Sequence, residues 1–313
     1  MSHEYQRMTL SRPPTRGEVL SDRWFRWSTF GFGVAVIGLL IAILLEIGSQ
    51  ALPAMREFGL GFLADREWDP NKNDFGILPQ IWGTLYSSVL ALLVASVFGL
   101  AVAIVISQNF LPRWLEQVLK NVIELLAAIP SVVYGLWGIF VVIPALRSLL
   151  AWFGVPPSEV SSSMLPAALV LAIMVLPTIT AVARDAIVSV PVKLKEAAYG
   201  LGATRWECIL GVVLPTAATG IFGAIVLAFG RALGETMALA MLIGNSNVLS
   251  LDLLSPGNTL AALLANSIPE AGGMQLSALM YAAVVLLFIT LAVNIVGSLI
   301  LMRANRNLLG GHA

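Results

Sequence analysis

Apolar residues in this chain run in blocks of roughly twenty or more, separated by stretches that hold nearly all of the charge. A hydrocarbon core about 30 Å thick takes about 20 apolar residues at 1.5 Å of helical rise each. Lipid offers no partner to a backbone amide, so each block is read as a helix that satisfies its own hydrogen bonds. Six blocks qualify: Trp27 to Ile47, Pro79 to Ser107, Asn121 to Ala145, Met164 to Ala183, Thr216 to Ile243 and Leu276 to Met302. Pro130 and Pro177 fall inside the third and fourth. They are read as kinks, because packed neighbours can re-satisfy the carbonyl that a proline frees.

Composition agrees with an all-α, polytopic membrane protein. Of 313 residues, 58% are hydrophobic and 12% charged, about half the charged share of a soluble domain. The net charge of zero excludes the basic bias of a nucleic-acid-binding chain, and no nucleic-acid partner is expected. The lone cysteine, Cys208, can form neither an intrachain disulfide nor a metal cluster, and is read as an ordinary small residue. The polar stretch from Met1 to Arg26 precedes an apolar block longer than a signal-peptide core, so that block reads as a retained anchor. The chain is thus divided into a tail (1–26), a first anchor (27–47), a loop (48–78), a membrane core (79–302) containing a loop at 184–215, and a second tail (303–313).

Lysine and arginine set the expected orientation. Thirteen lie in the two tails and the 108–120 and 184–215 loops, four lie in the opposite loops, and Arg231 lies inside a span. That asymmetry places both termini in the cytoplasm. Trp24, Trp27, Trp82, Trp114 and Trp152 fall near span ends, as interfacial anchors do. The 48–78 loop carries Glu57, Asp65, Glu67, Asp69 and Asp74, and is either a solvated connection or a docking surface.

Loop 184–215 reads as two short helices around a glycine. Pro191 suits a first helical turn, Gly202 suits the position just past a helix end, and Thr204 with Glu207 forms a capping box for the second helix. Pro215 punctuates entry into the next span. The residues Glu196, Ala197 and Ala198, then Gly202, Val212, Leu214 and Pro215, match in spacing the EAA loop of bacterial ABC-importer permeases, with Val212 where isoleucine is usual. The resemblance implies that this loop docks in a groove of a separate ATPase subunit and passes its motion to the spans. The residue types suit such docking, since the alanines permit close approach, Glu196 can pair with a basic residue, and Gly202 allows a sharp turn. Without the resemblance, a helical hairpin merely joining two spans remains open. The dipeptide Gly-Lys is absent from the chain, so it has no P-loop of the usual form, and ATP is expected on a partner chain.

Arg231 and Glu235 stand in an otherwise apolar block. A charge at mid-membrane costs about 2.5–3.5 kcal/mol on insertion scales. Residues four apart share a helical face, so the two are expected to pair. Gly230 and Gly234, also four apart, would admit a neighbouring helix. Two readings are open: an anion relay, in which the guanidinium fork binds oxyanion oxygens and Glu235 neutralises it between events, or an ion pair fixing helix register or subunit pairing.

The runs GRALGETMA (230–238), IGN (243–245), ELLAA (124–128) and IPSVVYGLWG (129–138) resemble those of the C-type permeases of high-affinity phosphate (Pst) importers. The A-type permeases of that system typically carry GETAP where this chain has GETMA. The similarity spans about residues 75–307. It implies the type I ABC-importer permease (MetI-like) fold, and phosphate passage at Arg231 and Glu235. It also implies partnership with a second homologous permease, two ATPase subunits and a periplasmic phosphate-binding protein, in a bacterial inner membrane. The EAA loop alone would equally serve an importer of sulfate or molybdate, and an ion-coupled secondary transporter or channel is the alternative from another class. Nothing argues for an enzyme, a metal or a resident cofactor. His3 and His312 lie in the tails, Glu46 and Glu124 sit near span ends, and Asp185 can pair with Arg184.

Overall fold

A computed structural model describes residues 15–108 and 110–310; His3 and His312 lie outside the described residues. The chain divides after Ser49 into two units. The first holds most of helix α1 (Arg16–Phe58), whose apolar side chains, among them Val34, Ile37 and Leu40, are exposed. That is the surface expected of a helix solvated by lipid tails.

The second unit begins with the end of α1 and a short helix α2 (Gly61–Ala64). A small antiparallel hairpin follows, β1 (Trp68–Asp69) pairing with β2 (Asp74–Phe75). The expected 48–78 loop is therefore largely ordered. Phe62 stacks on Tyr281 at 4.5 Å and Trp68 meets Phe75 edge-on at 4.9 Å. The remaining helices are α3 (Leu78–Ser107), α4 (Arg113–Ala128), α5 (Ser131–Ala151), α6 (Met164–Val188), α7 (Val192–Gly200), α8 (Arg205–Leu233), α9 (Met237–Leu242), α10 (Leu260–Ser267) and α11 (Gly273–Gly310). Helices α1, α3, α5, α6, α8 and α11 are each long and apolar enough to cross a membrane.

Helix α6 is central, buried from Met164 to Ile187. Its main partner is α3, which presents Gly83, Ser87, Ala91, Ala95, Gly99 and Ala103, all buried and each four residues from the last. Small side chains at that spacing bring two backbones close, the source of helix affinity in lipid. A Cβ at Gly99 would lie 3.1 Å from Ile179 Cγ2, and the Thr180 hydroxyl donates to the Gly99 carbonyl at 3.2 Å.

Several span bounds change. The third span is not Asn121–Ala145. Helix α4 ends at Ala128, and the span is α5, which starts after Pro130. Proline drives the preceding residue out of the helical region, and Ile129 is extended at φ −69°, ψ 128°. Pro130 is therefore a boundary and not a kink. Helix α4 is amphipathic: Leu115, Leu119, Ile123 and Leu126 turn inward, while Glu124 is exposed. The fifth span begins at Arg205, ahead of the expected Thr216, and stops at Leu233 instead of running to Ile243. Helices α1 and α11 overrun the expected first and sixth spans at both ends. Pro177 does lie inside α6, as read.

Two other prolines are accommodated by π turns. The Ile143 N–H bonds the Gly138 carbonyl just before Pro144, and the Leu214 N–H bonds the Ile209 carbonyl just before Pro215. Each π turn adds a residue to the ring and opens the turn where a proline would crowd the carbonyl behind it. Pro215 thus leaves α8 continuous from loop to span. Trp24, Trp27, Trp114 and Trp152 are exposed, as an interfacial belt requires, but Trp82 instead donates from Nε1 to the Ser250 carbonyl at 3.0 Å.

Gly83 has no room for a side chain, because a methyl there would collide with the Asn258 carbonyl oxygen. Gly83→Ala is expected to cost about 3 kcal/mol through overpacking. This outweighs the roughly 1 kcal/mol gained in helix propensity. Thermal unfolding in lipid nanodiscs checks this; an unchanged or raised midpoint would contradict the packing described.

Candidate translocation site and coupling loop

Arg231 sits in the last turn of α8 and is exposed. Its Nη1 donates to Thr178 Oγ1 on α6 at 2.9 Å, immediately after Pro177. A guanidinium has five N–H donors, so most of its fork remains open. The expected pairing with Glu235 does not form. It needed one continuous helix, and the helix stops at Leu233, with Gly234 as its cap. Glu235 lies in the break between α8 and α9, where its Oε1 accepts from the Ala238 N–H at 3.4 Å. A carboxylate at the start of a helix is stabilised by the unpaired amides there. The acid is therefore committed to α9, and the cation to α6.

An exposed guanidinium in a span cannot face hydrocarbon without the insertion cost given above. That surface must meet either a water-filled path or another protein. Gly230 lies close to Asn294 on α11, a Cβ there falling 3.2 Å from Asn294 Oδ1. It serves packing within the chain, as read, whereas Gly234 serves the helix end.

At the other end of α8, the 184–215 segment forms the helix–glycine–helix element. Arg184 and Asp185 fall in the last turns of α6 and pair at 3.4 Å. Pro191 is the residue preceding the first turn of α7, one position earlier than read. After α7, Gly202 takes φ +89°. The Ala203 N–H reaches the Ala198 carbonyl at 3.1 Å and the Gly202 N–H reaches the Tyr199 carbonyl at 3.0 Å. That pair of bonds is a Schellman ending, which favours a glycine in the left-handed position. The capping box is complete: Thr204 N–H to Glu207 Oε2 at 2.7 Å, and Glu207 N–H to Thr204 Oγ1 at 3.4 Å.

Glu196 and Ala197 are exposed on α7, and Ala198 is half-buried. Leu214 packs against the core beside the buried Cys208, while Pro215 is exposed. Residues that sequence reasoning passed over also lie here. Leu201 is 91% exposed at the tip, and Trp206 stacks on Phe110 at 5.2 Å, joining the loop to the connection between α3 and α4. Thr178 was likewise passed over, since nothing local marks a partner so distant in sequence.

Residues 95–307 match the family profile described as binding-protein-dependent transport system inner membrane component. The phosphate transport system permease protein PstC of Pasteurella multocida (strain Pm70) is 40% identical over 295 residues, covering 90% of this chain and 92% of that protein. The protein of the same name from Mesorhizobium japonicum is 37% identical, covering 91% of each chain. Among solved structures, a bacterial alginate ABC transporter in complex with its alginate-bound periplasmic protein aligns with a TM-score of 0.63 at 16% identity. It covers 88% of this chain and 94% of that one. The inward-facing MetNI methionine ABC transporter aligns at 0.57 and 18% identity, covering 73% and 95%. These two likenesses establish a shared fold, that of ABC-importer permeases.

The reciprocal bonds of Thr204 and Glu207 hold the start of α8. Thr204→Ala is expected to speed amide hydrogen exchange at Arg205 to Cys208 about fivefold at neutral pH, the effect of losing an N-cap. Unchanged exchange in the variant would show that the cap does not hold this helix end.

Proposed function

Since the chain belongs to the family of binding-protein-dependent transport system inner membrane components, we propose that it is the membrane-spanning permease subunit of an ATP-driven importer of inorganic phosphate. It is a multi-pass membrane protein of a transport family. The substrate follows from its likeness, over nine-tenths of its length, to permeases named for phosphate transport. The observation that carries the mechanism is Arg231, an exposed cation in a span with most of its donors open.

Phosphate matches that fork, because two of its oxygens can accept parallel N–H bonds from one guanidinium. Thr178 holds the guanidinium from behind and leaves the rest for the anion. Glu235 lies one helix break away. A change at Gly234 to Thr236 would bring the carboxylate towards Arg231, weaken its hold on the anion and permit release.

The exposed face of Arg231 supports a second, homologous permease closing the path from the other side. Glu196, Ala197, Ala198 and Gly202 on the projecting loop, with Leu214 and Pro215 behind them, form the docking and transmission element for a separate ATPase. That ATPase binds ATP, two copies serve the two permeases, and a periplasmic phosphate-binding protein delivers the anion. ATP-driven closure of the ATPases moves the loop and opens the path outward. The lysine and arginine distribution supports cytoplasmic termini in a bacterial inner membrane.

Arg231→Gln is expected to reduce ATP-driven phosphate uptake into vesicles by at least about a hundredfold, the scale of losing a charge-assisted bidentate contact, while the complex still assembles. Uptake at the wild-type rate would reject the relay. Gly202→Pro, which cannot adopt φ +89°, is expected to leave ATP hydrolysis running without transport; preserved coupling would exclude the loop as the transmission element. Uptake indifferent to ATP but abolished by an ion uncoupler would reject the importer reading itself.

A further inference from the structure

Beyond α9, at the end of the protein opposite the coupling loop, the chain folds back between Ile243 and Asn258. The Ser246 N–H bonds the Gly257 carbonyl and the Gly257 N–H bonds the Ile243 carbonyl, both at 2.9 Å. The fold-back is held on two sides. Trp82 and Tyr86 of α3 donate to the carbonyls of Ser250 and Leu251. The Met164 and Leu165 amides that open α6 bond the carbonyls of Ser255 and Leu253. Between this loop, α10 and the hairpin lies a cavity of about 210 Å³, walled mainly by Asn245, Asn247, Asn258, Asn266, Ser267 and Trp68. At about 30 Å³ per water, it admits a tetrahedral oxyanion with some of its hydration.

The hydrogen bonds already made decide what the walls offer. Asn258 is 5% exposed, and its Oδ1 accepts from the Thr259 N–H. Asn247 Oδ1 accepts from Gln80 Nε2 at 2.7 Å. In both amides the oxygen holds this bond and the NH2 group has no partner in the fold, as is also true of the Asn266 amide and the Ser267 hydroxyl on the same wall. Asn245 is the reverse case. Its Nδ2 donates to the Ala240 carbonyl at 2.8 Å, and its oxygen has no partner in the fold. No carboxylate lines the cavity to repel an anion.

We propose that this cavity is a second, weak binding site on the permease for a protonated tetrahedral oxyanion. Its amide donors take the anion's bare oxygens, and Asn245 Oδ1 takes the proton of a P–OH group. Hydrogen phosphate carries such a proton near neutral pH and sulfate carries none, so sulfate would set an oxygen against an unpaired acceptor, which is costly. The absence of a cationic side chain keeps binding weak, as a site that must release its cargo onward requires. Helix α9, about 9 Å long at six residues, separates Asn245 from the break that holds Glu235. The identity of the anion rests on the importer reading; the donor and acceptor pattern does not.

The test is calorimetric titration of inorganic phosphate and of sulfate into the assembled complex in nanodiscs, in an Arg231→Gln background that silences the span site. Phosphate should bind about tenfold more tightly than sulfate, the worth of one such hydrogen bond. Asn266→Leu, at an exposed position, should weaken phosphate about tenfold. Asn245→Gly keeps the positive φ of 52° and should bring the two anions within about twofold of each other. Equal binding of both anions to the background protein, or no change in Asn266→Leu, overturns the proposal. It is also overturned if Asn266→Leu loosens the periplasmic binding protein without altering anion binding, which would make the cavity a docking surface. ATP-driven uptake by the unmodified complex is measured alongside: uptake of sulfate and not phosphate would reject the substrate reading, while the cavity stands or falls on the titrations.

Discussion

Everything in the membrane core hangs on how closely α3 approaches α6. Lipid tails are as apolar as leucine, so burying hydrophobic area does not drive two spans together; close backbone contact and interhelical hydrogen bonds do. The small residues from Gly83 to Ala103 supply the contact, and the Thr180 to Gly99 bond adds polar attachment. That approach has effects at both ends of α6. It puts Gly83 against the Asn258 carbonyl, which seats the 244–258 loop. It also buries Ala103 beside Ala183 and Ile187, the floor on which the 184–215 segment rests.

Proline chemistry explains how long helices turn into working parts. Pro130 separates an amphipathic helix from a span, whereas Pro144 and Pro215 are absorbed by π turns and separate nothing. The difference is local. Before Pro130 the chain is already extended, and α4 has a polar face carrying Lys120 and Glu124 that suits a membrane surface and not its interior. Before Pro215, the wider turn carries the helix on, with the Leu214 N–H on the Ile209 carbonyl and the Thr216 hydroxyl on the Val212 carbonyl.

The parts of this arrangement legible in the sequence are those specified by neighbours along the chain. Apolar blocks located the membrane-crossing helices, and Gly202, Thr204 and Glu207 announced a turn and a cap that the structure forms as read. The parts not legible are those in which a local signal had two physical meanings. Gly234 can serve close packing or a helix end, and an apolar run around it favoured the first; Glu235 then becomes a cap for α9 and not a partner for Arg231. Pro130 can kink a span or begin one. Contacts such as Arg231 to Thr178, or the meeting of Asn247, Asn258 and Asn266, join segments that only the folded chain brings together.

The continuity of α8 has a mechanical meaning. The capping box at Thr204 and the cation at Arg231 occupy opposite ends of one helix of 29 residues, about 43 Å long. Between them Gly220 lies so close to Ala186 of α6 that a methyl would collide. Were α8 to pivot at this contact, its arms would measure about 22 Å towards the loop and about 16 Å towards Arg231. A tilt at the loop about that point would carry the far end the opposite way by about three-quarters as much, against the Arg231 to Thr178 bond. How far a movement at one end would reach the other is then set by where along α8 a glycine stands.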